Sequence, residues 1–162
     1  MFTEKFSHLK NIIITLLCTS LTIMVTRGQA RKDEEFLSAA KKAIAGSNAV
    51  YFESFVKNDS SIFINRYSKD GCIMAPNAPA LCGREAAAKF FKKAHLAGLH
   101  HGKFITTAVY GEGKEFVTEE GLWQSFDARG NLFDDGKFLV LWKRTAEGWK
   151  MFRDSFSSNR TQ

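Results

Sequence analysis

Past Gly102 the chain turns into a succession of β-type runs, at 104–110, 115–126, 137–144 and 149–156, rich in Thr, Val and aromatic residues. Short Gly-containing turns at 111–113, 127–130, 134–136 and 147–148 separate them. A parallel pair needs a crossover of about a dozen residues or more, so connections this tight make these strands antiparallel neighbours. The half before Gly102 has a different period. Leu37, Ala40, Ile44, Tyr51 and Phe55 recur at helical spacing over 33–57, and Leu37 to Phe55 spans eighteen residues, five full turns. Asn58-Asp59-Ser60 reads as a break and a new N-cap, opening a short helix through Ile62, Phe63 and Tyr67 that Ser68-Lys69-Asp70-Gly71 closes. A short strand at 72–75 runs into the turn Pro76-Asn77-Ala78-Pro79, and Gly83 precedes a third helix at 84–96 with Ala87, Phe90, Phe91 and Ala94 on its packing face. Helices first and a meander second predict an α+β fold: a conical barrel of three N-terminal helices on a strongly curved antiparallel sheet. Such a cone leaves a cavity at its open end, where a ligand would bind. With 162 residues there is room for one such domain, and 15 Phe supply its core.

The first thirty residues stand apart. Two lysines precede a fifteen-residue apolar run, 11–25, and the small residues Gly28 and Ala30 frame a cut after Ala30. The run is shorter than the ~20 residues a spanning helix needs. The expectation is a signal peptide at 1–30, a single domain at 31–162, and export to the periplasm or medium without stable membrane insertion. Losing Lys5, Lys10 and Arg27 together with Glu4 lowers the formal charge from +6 to +4. Cys18 leaves too, and the remaining Cys72 and Cys82 form an even pair that export would make a disulfide, with two free thiols as the alternative. Their spacing is not that of metal ligands, so no metal site is expected.

Several strings, in order, resemble a known family. They are Asn58-Asp59, Tyr67-Ser68-Lys69-Asp70-Gly71, Gly83-Arg84-Glu85-Ala86, Asp135-Gly136-Lys137-Phe138 with Trp142-Lys143-Arg144, Gly148-Trp149-Lys150-Met151, and Asp154-Ser155-Phe156-Ser157-Ser158. Over residues 33–159 the chain looks like the nuclear-transport-factor-like superfamily, and within it the SnoaL-like domains related to ketosteroid isomerase. The resemblance implies a homodimer paired through the outer sheet face, and a cone able to hold a small, largely apolar molecule. In the isomerases a tyrosine on the first helix stabilises an enolate oxygen, and an aspartate just before the proline after strand one moves the proton. Tyr51 matches the first position, eight residues ahead of Asp59. Ala75, directly before Pro76, occupies the second and cannot take a proton, so ketosteroid isomerisation is predicted to be absent.

The candidate lining is Tyr51 and Phe55 from the long helix, Trp123 and Trp142 from the middle strands, and Asp154 with Phe156 from the last. Strand alternation puts Phe152, Asp154 and Phe156 on one face and Trp149, Met151 and Arg153 on the other. An acid among aromatics would carry a raised pKa and serve as general acid or base, with Tyr51 as donor. Alternatively Asp154 sits at the rim, paired with Arg153 or Arg84, Tyr51 is a core tyrosine, and the tryptophans are packing or interface residues. The function expected is small-molecule binding, or a cofactor-free isomerase, dehydratase or cyclase; the alternative is a non-catalytic homodimeric association module with a filled cavity. No cofactor is expected, since Gly111-Glu112-Gly113-Lys114 joins two strands and opens no helix. Nucleic acid is not an expected partner, because Lys41-Lys42 and Lys92-Lys93 sit on polar helix faces without interleaved aromatic platforms.

Overall fold

The computed structural model describes residues 28–160. The chain divides into two compact units, Met1–Glu35 and Phe36–Gln162. Of the first unit only 28–35 are described, and they are helical; the apolar run expected to be a leader lies outside the described residues. No helix among the described residues is long and apolar enough to cross a membrane.

In the second unit α1 (residues 36–51) is helical and buries Ala40, Ile44 and Tyr51. The single helix expected through residue 57 is interrupted at Phe52, and α2 (Glu53–Lys57) follows. Ser54 lies at the break: its hydroxyl donates to the Tyr51 carbonyl at 2.6 Å, a back-bond that bends helices. Asn58 ends α2 in the left-handed conformation, at φ 50°, and Asp59 caps α3 (Ser60–Ile64) by accepting from the Ser61 N–H at 2.8 Å, as the sequence led us to expect.

The next segment departs from expectation. Tyr67, read as helical, opens β1 (Tyr67–Met74), and the supposed helix stop at 68–71 is strand. Gly71 is there for closeness: a Cβ would stand 2.8 Å from the Met151 carbonyl oxygen of the neighbouring strand. A two-residue strand, β2 (Leu81–Cys82), pairs antiparallel with β1, placing Cys72 opposite Cys82, and the disulfide between them is formed. Helix α4 (Arg84–Leu96) follows as expected.

The remaining strands are β3 (His101–Tyr110), β4 (Phe116–Phe126), β5 (Leu132–Thr145) and β6 (Gly148–Ser158). They make one six-stranded curled sheet in the order β2-β1-β6-β5-β4-β3, antiparallel throughout except for the parallel pair β1–β6. The architecture is the expected α+β cone. Residues 134–136 belong to β5 and are not a turn. Here again glycine serves close approach, since a Cβ on Gly136 would lie 1.8 Å from the Ser157 carbonyl oxygen. In β6 the register slips between the pairs Leu141–Arg153 and Trp142–Met151, leaving Phe152 as the extra residue of a bulge. Strict alternation therefore fails. Met151 turns into the core, and Phe152 packs outside it against Phe116 and the Arg153 guanidinium.

Candidate functional site

Between the helices and the inner face of the sheet lies a cavity of about 80 Å³. Four elements bring the expected residues to it: Tyr51 ends α1, Phe55 lies on α2, Trp123 on β4, and Asp154 with Phe156 on β6. Trp142 is not among the lining residues; it is fully buried elsewhere in the core. Rings outside the expected lining complete the wall: Phe90 from the packing face of α4, with Phe52, Phe104 and Phe138. Tyr51 meets Phe52 and Phe104 edge-on, both at 4.9 Å between ring centroids.

Asp154 is the charged group in this apolar wall. It is 6% exposed, so the rim position and the pairing with Arg153 or Arg84 do not occur; the Arg153 guanidinium turns instead to the backbone carbonyls of Asp70 and Phe152. The partner of Asp154 is Tyr67, whose hydroxyl donates to Oδ2 at 2.5 Å. Burial pushes the Asp154 carboxyl up to about 6, with the charge of Glu119 adding to the rise and the Tyr67 hydrogen bond opposing it. Oδ1 receives no hydrogen bond from any described residue, which leaves it for whatever enters the cavity. The Tyr51 phenol interacts in turn with Tyr67, and burial, followed by the Asp154 charge, holds its pKa far above the ordinary tyrosine value. Burial acts on Tyr67 in the same direction. The three groups form a chain, Tyr51 to Tyr67 to Asp154, and burial raises the pKa of each.

Tyr67 escaped the sequence reading because it was assigned to a helix. Glu119 escaped it too, although β4 carried the signal: Val117, Glu119, Gly121, Trp123 and Ser125 alternate onto the inner face. Glu119 is fully buried and accepts from Asn48 Nδ2 at 2.7 Å, Thr106 Oγ1 at 2.5 Å and Trp142 Nε1 at 2.9 Å. Burial raises its pKa, and these three donors offset part of the rise. Register explains its effect on Asp154, since Glu119 pairs with Val140 and Val140 with Asp154. The two carboxyls thus occupy the same inner face with β5 between them, and the charge of Glu119 disfavours that of Asp154.

No family model matches the chain. Nor does any curated protein. Solved structures do match. A ketosteroid isomerase-like protein from Erwinia carotovora atroseptica superposes with a TM-score of 0.61 at 18% identity, covering 77% of this chain and 97% of that one. An NTF2-like protein with a cystatin-like fold from Novosphingobium aromaticivorans gives 0.64 at 17% identity, covering 78% and 86%. An NTF2-like protein of unknown function from Shewanella oneidensis gives 0.62 at 16% identity, covering 72% and 98%. With helices packed on a curled six-stranded sheet and these structural neighbours, the chain has the nuclear-transport-factor-like fold.

Proposed function

We propose that the protein binds a small, largely apolar molecule through one oxygen-bearing group, and moves a proton on it without a cofactor, as an isomerase, dehydratase or cyclase does. The observation that carries this reading is a buried carboxyl in an otherwise aromatic cavity that the Tyr51 ring also lines, with the Tyr67 hydroxyl bonded to that carboxyl. A carbonyl oxygen placed at Tyr51 would gain a donor whose strength grows as negative charge develops on that oxygen. Asp154, with a pKa near the working range, would take the adjacent proton as base or return it as acid. Ala75 leaves the isomerases' usual base position empty of chemistry, so Asp154 carries that role alone. We also propose that the chain is exported, a route with which the Cys72–Cys82 bond is compatible.

The test uses a small ketone, cyclohexanone, in deuterated buffer. Purified protein is expected to speed exchange of the α-protons, with a rate rising through pH of about 6 as Asp154 ionises. Asp154→Asn and Tyr51→Phe should each lower that rate at least tenfold. Exchange indistinguishable from buffer, with no shift of cavity aromatic resonances on adding the ketone, would sink the proposal.

That outcome would favour the second reading, an association module with a filled cone. Its supporting observation is size: about 80 Å³ is less than the ~150 Å³ of an engineered cavity that admits benzene. In this reading the outer sheet face makes a homodimer, using Ile105, Leu122 and Leu139, which are 41%, 44% and 51% exposed.

A further inference from the structure

A second cleft, of about 320 Å³, lies against the same tyrosine whose phenol reaches Asp154. Its walls come from the first half of β1, the start of α4, the end of β5 with the β5–β6 turn, and Lys150 on β6. Five of the side chains there are cations, Lys69, Arg84, Lys143, Arg144 and Lys150, against two acids, Asp70 and Glu147. The acids are already engaged: Asp70 by Lys143 at 2.9 Å, and Glu147 more loosely by Lys150 at 3.7 Å. Lys69, Arg84 and Arg144 have no carboxylate at ion-pair distance among the described residues, so the cleft holds three uncompensated positive charges.

Two buried polar atoms point the same way. Ser68, in the cleft wall, is only 5% exposed, and its Oγ makes no hydrogen bond of proper geometry, although the Asp70 carboxylate feels it. Arg66, one residue before β1, has a buried Nε without a partner. Arg66 and Arg84 both repel the charge on Lys150, which burial already disfavours. A folded protein rarely leaves a donor buried and several cations converging without something to accept from them.

We propose that this cleft binds a phosphate-bearing anion. A monocarboxylate would neutralise one of the three free charges, whereas a phosphomonoester approaches a charge of −2 and offers three acceptor oxygens. The planar forks of Arg84 and Arg144 suit those oxygens, Lys69 supplies a point charge, and the Ser68 hydroxyl a short-range donor. An apolar ligand gains nothing from such a wall. This site is distinct from the cone, so it stands or falls independently of what the cone holds.

The test titrates the full-length protein with inorganic phosphate and with glycerol 3-phosphate by calorimetry at low and high salt. In parallel, phosphatidylcholine vesicles are floated with and without phosphatidic acid. Binding is expected to weaken with salt, and to weaken at least tenfold in the double variant Lys69→Gln/Arg84→Gln. Both side chains are exposed, so that variant keeps its fold. The double variant Lys41→Gln/Lys42→Gln removes the same charge from exposed positions on α1 and should bind as the parent does. Binding to phosphatidic acid vesicles alone, with the same dependence on Lys69 and Arg84, assigns the phosphate to a lipid headgroup. Failure of all three probes to bind, or equal loss in both double variants, overturns the proposal.

Discussion

Asp154 shows how one buried group can tie stability to pH. Its folded pKa of about 6 lies above the 3.8 of the free side chain, so between these values the folded state holds a proton that the unfolded state has released. Stability from this group is therefore full below pH 4, falls as pH rises through 6, and is flat beyond. The difference is on the order of 3 kcal/mol. Asp154→Asn removes the charge and keeps an acceptor for Tyr67. Urea unfolding should find the variant and the parent similar at pH 4, with the variant more stable by roughly 2–3 kcal/mol at pH 8. Parallel curves across that range would mean that Asp154 is ionised at no cost in the folded protein. Tyr67, not visible from sequence as a neighbour of Asp154, is the residue that holds this acid in place.

Among the elements, the long strands are where local sequence and tertiary demand disagree. Asp134-Asp135-Gly136 carries ordinary turn chemistry, yet β5 runs straight through it, with Gly136 directly beneath the Trp123 indole that reaches across to the Ser157 carbonyl at 3.0 Å. Gly136→Ala would put a methyl 1.8 Å from that carbonyl and 2.9 Å from the indole nitrogen. Overpacking of this kind typically costs about 1–3 kcal/mol, and a clash against backbone belongs at the upper end or beyond. A thermal melt should show the loss, and an unchanged melting temperature would mean that the β5–β6 approach is looser than described. Helical periodicity, the Asp59 cap, α4 and the antiparallel meander were legible because each depends on near neighbours in sequence. The glycines at 71 and 136, the Phe152 bulge and the β1–β6 pairing were not, because each is set by a strand distant in the chain. The same divide ran through the site: Tyr51, Phe55, Trp123, Asp154 and Phe156 could be named from their faces, while the partnership of Asp154 with Tyr67 needed the parallel pair.

At the level of the whole molecule, apolar side chains remain on the outer sheet face. Ile105 and Leu122 stand directly opposite each other on β3 and β4, with Leu139 nearby on β5. If they seat a second copy, sedimentation should find a dimer at micromolar concentration, and Leu122→Glu should shift it to monomer without changing the melting profile of the isolated unit. A monomeric parent would remove the homodimer from the proposal. The strand order has a further consequence for how the molecule is made. The strand β6 is inserted between β1 and β5, so it alone joins the β1–β2 pair to the β3–β4–β5 meander. Without β6 the two parts have no strand between them, so a copy cut short before Gly148 should fail to unite its sheet.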